Sequence, residues 1–391
     1  MLGYKRRIRA AAVMLAVCMA LMLCPVVNAD TENAQTLPVI ITAPSAILIE
    51  QSSGEVLFEK NADEVMPPAS VTKIMTLLLA VEAIEAGKLN LQDMVSTSEN
   101  ASKMGGKQIW LEVGEEMSVN DLFKATAISS ANDAAVALGE AVAGNETTFV
   151  ALMNARAKEL GMKNTVFLNA SGLDAQGHVS SARDIAIMSR ELLLHPMIKD
   201  YSTVWMDTLR DGNTSLVNTN KLVRFYEGTT GLKTGTTDSA GYCLSSSAER
   251  GGLSLIAVVI GEKTSEERFA SARTLLDYGF ANWEVVTPKP LETPIEPVKV
   301  IKGTSPTVAV TSQPTNQVVI RKGEEASIEY KVEIVSDVAA PVAAGQTLGR
   351  VVMYSGGKEI GSYPLTAANY VGKLTFWVAF KALWTSMLGL K

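Results

Sequence analysis

Histidine is nearly missing from this chain: 391 residues contain two, His178 and His195. A Ser-His-Asp triad or a histidine-built zinc site is therefore poorly supplied. His178 falls in a glycine-containing loop and is expected to be solvated; His195, just before Pro196, is expected at a helix terminus. Cysteine is almost as scarce. Cys18 and Cys24 lie in an N-terminal segment expected to be removed, which leaves Cys243 alone in the apolar run Tyr242-Cys243-Leu244. The mature chain then has no internal disulfide and depends on packing, with Cys243 expected as a buried core thiol. No metal and no cofactor is expected from this inventory.

Excess positive charge is lacking too. Residues 1–29 combine a basic start (Lys5, Arg6, Arg7, Arg9), an uncharged apolar stretch from Ala10 to Leu23, and the small-residue pattern Val27-Asn28-Ala29. This reads as a secretory signal cleaved after Ala29; the apolar stretch is short for a membrane span. Cys24 is followed by Pro25 and not preceded by small residues, which argues against lipid attachment. Without the four basic residues of the signal, 31 Lys+Arg face 41 Asp+Glu, a net of −10. Such a balance argues against nucleic acid as a partner.

What is present is enough apolar sequence, 47%, to build a sizeable core, with 19% charged residues. A hairpin is expected over 45–60, with its turn at Gln51-Ser52-Ser53-Gly54. Helices follow from Ser70 to about Ala86 and near 118–128, 133–143, 146–160 and 181–194, with a loop over 161–179. Strands are expected around 231–237, 240–248 and 253–260, then a helix over 264–281. Strands at both ends with helices between imply a sheet assembled from distant segments, hence an α+β or mixed layered domain. This domain is expected to span 30–283.

"VVTPKPLETPIEP" then places four prolines in thirteen residues, as a stiff linker does. The segments "TVAVTS", "QVVIRK" and "ASIEYKVEIV" alternate in strand fashion, so 284–368 reads as a small all-β domain. Residues 369–391 form an amphipathic segment. Phe376, Trp377, Phe380, Leu383, Trp384, Met387, Leu388 and Leu390 share one arc, with Lys373, Lys381 and Lys391 along it. That pattern suits a membrane surface; the alternative is a terminal helix docked on the β domain.

The stretch "PPASVTKIMTLLLA", residues 67–80, carries the chemistry. Ser70 and Lys73 share a face at a helix start, and Ile74, Met75, Leu77, Leu78, Leu79 and Val81 mark the helix as buried. A lysine entering such a helix must be paired or deprotonated, and a deprotonated lysine one turn from a serine is a base beside a nucleophile. Spacing alone means little. Ser355-Gly356-Gly357-Lys358 repeats it in a hairpin turn. Ser130-Ala131-Asn132 falls in a break between helices, where a hydroxyl and an amide can face a cleft. Of its two look-alikes, Ser118-Val119-Asn120 reads as a helix cap with Asp121, and Ser98-Glu99-Asn100 as a polar loop. Lys233-Thr234-Gly235 opens a strand; a lysine beside a hydroxyl suits a carboxylate, and Gly235 leaves room for substrate backbone at the strand edge.

These three motifs, in this order, resemble those of the serine penicillin-recognising enzymes, and in detail of the low-molecular-mass D-alanyl-D-alanine carboxypeptidases of the S11 peptidase family. "ISSANDAAVALGEAVAG", "MKNTVFLNASGLDAQGHVSSARDIA", "GTTGLKTGTTDSAGYCL" and "PVAAGQTLGRVVMYSGGKEIGSYPL" carry the likeness over most of the mature chain. The resemblance implies a β-lactamase/transpeptidase-like fold, export to the outer face of the cytoplasmic membrane, and removal of the terminal D-alanine from peptidoglycan stem peptides. β-Lactam antibiotics would be covalent inhibitors. It implies Ser70 as nucleophile, Lys73 as base, Ser130 as proton relay to the leaving amine and Asn132 as holder of the substrate amide. Lys233 and Thr234, with Gly235, would take the terminal carboxylate, and the N–H groups of Ser70 and Thr236 the oxyanion. Some relatives have histidine where this chain has Thr236; a backbone role survives that change. Two rivals are weighed. A β-lactamase of class A pattern would need a glutamate ahead of its Leu-Asn pair, and Phe167-Leu168-Asn169-Ala170 is preceded by Thr165 in that place. A non-enzymatic wall scaffold would not need all three motifs intact.

Overall fold

The computed structural model describes residues 39–291, 294–312, 314 and 317–387; the signal read over 1–29 lies outside them. One antiparallel sheet gathers β1 (Ser45–Glu50), β2 (Val56–Lys60), β3 (Thr229–Thr237), β4 (Gly241–Arg250) and β5 (Leu253–Glu262), in the order β2-β1-β5-β4-β3. The two ends of the domain therefore meet at its centre, where Leu48 pairs with Ala257. Every residue of β1 is buried, because both sheet faces are covered.

Of five longer helices, α1 (Lys73–Glu85), α2 (Asn132–Ala143), α3 (Glu146–Glu159), α4 (Ala182–Leu193) and α5 (Ser265–Asn282), α4 and α5 lie on the sheet, while α2 and α3 pack against other helices. The twofold side-chain alternation of a strand sorts the contacts. Ile47 and Ile49 of β1 join Ile256, Val258 and Ile260 in the core shared with the α1 side. Leu48 and Leu255 face α5 instead, so close that a Cβ at Gly279 would sit 2.4 Å from Leu255. α1 is surrounded by helices, and its residues from Lys73 to Val81 are all buried. That explains its nearly continuous apolar sequence.

Helix starts follow local chemistry. Thr264 and Glu267 form a reciprocal capping box for α5, and Ser181 caps α4 through the Asp184 N–H. Ser118 caps the helix Val119–Lys124 as expected. Ser98, expected in a polar loop, is also a cap: its hydroxyl accepts from the Ala101 N–H and opens the short helix Glu99–Ser102.

Beyond α5 the described residues form strands and one short 3-10 turn, Glu325–Ser327, before the last helix. Trp283–Val286 pairs with Val318–Arg321, so a strand takes in the first two residues of the proline-rich stretch. A four-stranded sheet runs in the order Val310–Ser312, Lys358–Ala367, Thr347–Ser355, Glu329–Ile334, and a three-stranded one joins Thr307–Val308, Val298–Ile301 and Asp337–Ala339. Ser355 and Lys358 flank a turn. The Ser355 hydroxyl donates to Glu324 and Lys358 pairs with Glu55, so this second Ser-Lys spacing builds nothing catalytic. The last helix, Phe376–Met387, exposes Phe376, Trp377, Phe380, Trp384 and Met387. Among the described residues, no helix is long and apolar enough to cross a membrane.

The loop before α4 departs from expectation at His178. The imidazole is buried, not solvated. Its Nδ1 accepts from the Leu168 N–H at 3.1 Å, which leaves Nε2–H to donate to the Thr72 hydroxyl at 2.8 Å. A loop whose backbone N–H turns inward needs an acceptor there, and His178 supplies it while tying the loop to the start of α1. Burial pushes its pKa down to about 4, against the pull of Asp174.

Because the folded pKa lies below the unfolded value, unfolding takes up a proton as the pH drops. The stabilisation is complete above about pH 6.5 and lost as pH falls toward about 4, in total ~3 kcal/mol. Urea unfolding at pH 7 and pH 4.5 should show the parent losing about 2 kcal/mol more than His178→Gln across that interval. Equal losses would contradict the buried neutral imidazole.

Candidate active site

Ser70 lies in a 3-10 turn, Ala69–Thr72, that leads directly into α1. The sequence reading put Ser70 at the start of the α-helix itself; the tighter turn intervenes because the segment is clamped from two sides. Ala69 has φ +49°, a left-handed conformation that an alanine adopts only under constraint. On one side Gly172, at φ +80°, approaches so closely that a Cβ would lie 2.0 Å from the Ala69 carbonyl oxygen. On the other, a Cβ at Gly235 would meet the Pro68 carbonyl oxygen at 2.9 Å and the Val71 nitrogen at 3.0 Å. The glycine of Lys233-Thr234-Gly235 is thus required by the protein's own packing, whereas the sequence reading reserved that space for substrate.

Lys73 has no exposed surface, and its ammonium makes three hydrogen bonds. It donates to Ser70 Oγ at 3.1 Å, to Asn132 Oδ1 at 2.6 Å and to the Ser171 carbonyl at 2.6 Å. Desolvation is the largest influence on it, and with the charge of Lys107 it brings the pKa from 10.5 to about 7; Asp133 pulls the other way. Asp133 does not form an ion pair with it. The Asp133 carboxylate is committed to the backbone N–H groups of Ile109, Leu111 and Ala134.

Asn132 is aimed by a short irregular stretch. A π-turn over Ala125–Ser129 ends at Ser130, which has φ +66°; Ala131 is extended, and Asn132 opens α2. Its side-chain amide bridges Lys73 and the Gly105 carbonyl, the latter at 2.6 Å, while its backbone N–H bonds the Lys107 carbonyl at 2.7 Å. Ser130 is buried beside it. The break between helices that the sequence suggested is therefore real, and it lets a hydroxyl and an amide leave the chain side by side.

From the sheet edge comes β3. Lys233 is buried, its Nζ 3.1 Å from the Thr234 carbonyl; desolvation, then Lys73, Lys107 and Arg268, hold its pKa well below the ordinary value. The Thr234 hydroxyl donates to Thr219 at 2.7 Å. Thr236 donates to the Gly235 carbonyl at 2.7 Å and accepts from Arg268 at 3.0 Å. The structure therefore brings the three motifs together: Lys73 bonds Asn132, and Gly235 packs on the turn that carries Ser70.

Four contributors escaped the sequence reading. Arg268, on α5, donates to the Gly235 and Cys243 carbonyls and to Thr236, bracing β3 from behind. Nothing in its helical pattern signalled that reach. Ser171 acts only through its carbonyl, which no side-chain motif records. Asp133 was visible beside Asn132, but its work is on a loop distant in sequence. His178 was seen and misplaced.

Comparison with known proteins identifies the family. The chain matches the D-alanyl-D-alanine carboxypeptidase family over residues 30–264 and the penicillin-binding protein 5 C-terminal domain over residues 283–373. It is similar to D-alanyl-D-alanine carboxypeptidase DacF of Bacillus subtilis, 41% identical over 362 residues, covering 92% of this chain and 93% of that one. DacC of Escherichia coli is 36% identical over 85% of this chain and 84% of its own. Among solved structures, penicillin binding protein 5 from Haemophilus influenzae superposes with a TM-score of 0.76 at 33% identity, covering 86% of this chain and 99% of that one. Penicillin-binding protein D2 from Listeria monocytogenes, in its ampicillin-bound form, gives 0.57 at 36% identity over 62% and 99%. A buried lysine against a clamped serine, with an asparagine and a lysine-bearing strand beside them, thus sits in a chain that belongs to the D-alanyl-D-alanine carboxypeptidase family, the S11 peptidases.

Proposed function

We propose that the chain is a serine-type D-alanyl-D-alanine carboxypeptidase that removes the terminal D-alanine of peptidoglycan stem peptides through an acyl-enzyme on Ser70. The observation that carries the residue assignment is Lys73: fully buried, 3.1 Å from Ser70 Oγ, with a pKa of about 7. In its neutral form it takes the Ser70 proton as Oγ attacks the penultimate carbonyl carbon. Lys233 and Thr234 hold the terminal carboxylate, and Asn132 the substrate amide. The N–H groups of Ser70 and Thr236 receive the oxyanion. Ser130 passes a proton to the departing amine as the peptide bond breaks, and D-alanine leaves. Water then cleaves the ester, returning the shortened peptide as a carboxylate and Ser70 as an alcohol. No step calls for a metal or cofactor.

β-Lactams acylate the same serine under this reading. The rival β-lactamase reading of class A pattern calls for a glutamate at position 165, ahead of the Leu168-Asn169 pair. Position 165 supplies a hydroxyl instead, bonded to Asp184 at 2.8 Å. The signal-like first 29 residues support a reaction at the outer face of the cytoplasmic membrane. Residues 369–391 hold the enzyme at a membrane surface; the exposed rings of Phe376, Trp377, Phe380 and Trp384 support that placement.

D-Alanine release from a peptide ending in D-Ala-D-Ala should be abolished in Ser70→Ala. In Lys73→Met it should fall by at least ~10²-fold in kcat/KM. A Ser70→Ala protein that releases D-alanine as fast as the parent would refute the mechanism. Intact-mass measurement after benzylpenicillin should show one adduct that persists over minutes, lost in Ser70→Ala; rapid turnover with no adduct would favour the β-lactamase. Full-length protein should co-sediment with anionic lipid vesicles and a chain ending at Ala368 should not. Equal partitioning would count against the anchor.

A further inference from the structure

Acidic residues are unevenly placed in the second domain. They make up 41 of the 391 residues overall, yet none occurs in 297–323, 338–358 or 360–391. The fold joins one turn from each of these three stretches at a single end of the β domain. The Ala340 N–H donates to the Ile301 carbonyl at 3.0 Å, and the Thr304 N–H to the Gly372 carbonyl at 2.8 Å. Val342 and Val371 exchange two hydrogen bonds at 2.9 Å and are buried in one cluster with Val298, Val300 and Leu348. Outward, this end exposes Ile301, Pro341, Ala343, Ala344, Tyr370 and Leu374. Lys302 and Lys373, both exposed, are the only charged residues of 300–306, 340–346 and 367–375. Among the described residues neither forms an ion pair.

The last helix leaves from this same end. The Leu374 N–H donates to the Lys302 carbonyl at 2.7 Å and Lys373 bridges to Gly303, so the backbone is fixed to the β domain as far as Leu374. Thr375 then caps the helix Phe376–Met387: its hydroxyl accepts from the Val378 N–H at 3.4 Å and its carbonyl from the Ala379 N–H at 2.9 Å. One residue separates the last fixed position from the helix. A lipid surface that takes up the exposed rings of Phe376, Trp377 and Phe380 therefore lies beside Lys302 and Leu374 as well. Lysines set among apolar side chains, with no anion near them in sequence, suit the boundary between headgroups and acyl chains.

We propose that the lipid contact extends onto the β domain: the turns over 301–306 and 340–346 rest on an anionic lipid surface beside the helix, with Lys302 and Lys373 at headgroup phosphates. The inference rests on the membrane reading of residues 369–391 and adds to it a surface that this segment alone lacks. Its consequence is orientation. A helix on a free tether would let the β domain swing, whereas a domain seated on its own end stands at a fixed attitude to the membrane. Each lysine near an anionic surface strengthens partitioning about fivefold, so reversing one charge costs ~25-fold.

The test measures partitioning of the full-length protein onto phosphatidylcholine vesicles that contain phosphatidylglycerol. Lys302→Gln should weaken it about fivefold and Lys302→Glu ~25-fold, while Lys158→Gln, an exposed site on α3, should stay within about twofold of the parent. Benzylpenicillin acylation at the parent's rate shows that each variant is folded. An environment-sensitive dye on Thr304→Cys, with Cys243 buried and unlabelled, should shift to shorter wavelength when the vesicles are added. If the parent binds but both Lys302 variants bind equally well, or the dye does not shift, the helix anchors alone and the β-domain contact is wrong. If the parent itself does not bind, the anchor reading falls and the extended contact falls with it.

Discussion

A lysine ammonium stripped of water, beside a serine hydroxyl, is the constraint around which this molecule is arranged. Bringing Lys73 from 10.5 to about 7 corresponds to roughly 5 kcal/mol taken from its charged form. Nearby acceptors work against that. Asn132 Oδ1 and the Ser171 carbonyl, both at 2.6 Å, favour the ammonium, yet burial and the charge of Lys107 prevail. Much of the surrounding architecture serves to keep this balance. α1 is wrapped in helices, so solvent does not reach Lys73 from behind. Asp133, the acid that would have restored a full positive charge, is tied to three backbone N–H groups instead.

The second demand is precision at Ser70. A base near neutrality is useful only if the nucleophile stays within reach, and the turn that carries Ser70 is compressed between Gly172 and Gly235. His178 and Thr76 hold the same loop onto α1 through Thr72 and the Ala170 carbonyl. Arg268 stiffens β3 from the far side, satisfying the Gly235 carbonyl that the close approach of the turn leaves on the strand. Ala69, next to Ser70, and Ser130, two residues before Asn132, both have left-handed φ, and backbone strain is a common companion of function.

Much of this was legible beforehand, for reasons that differ from element to element. Periodicity revealed the helices and strands because each buries a face, and the Ser70-Lys73 pair stood out because a lysine does not belong in such a helix. The break at Ser130 was visible as an interruption between helical patterns. What stayed hidden acts through the backbone or across long separations. Ser171 contributes a carbonyl, which every residue has. Arg268 reaches β3 from a helix whose sequence gives no sign of it. His178 looked like a solvated loop residue because composition cannot show that its loop folds inward over Thr72. Gly235 was recognised as a close approach, but only the fold shows that the approaching atoms are those of Pro68 and Val71.

The central claim is that a substantial fraction of Lys73 is neutral near physiological pH and deprotonates Ser70. It is tested most directly by the second-order rate of benzylpenicillin acylation as a function of pH. In that quantity the acid limb reports groups of the free enzyme, here the interacting lysines as a set with Lys73 foremost. The account predicts a rate that rises tenfold per pH unit at low pH and levels off near pH 7. A rate still climbing at pH 9, or one already flat at pH 5, would contradict it.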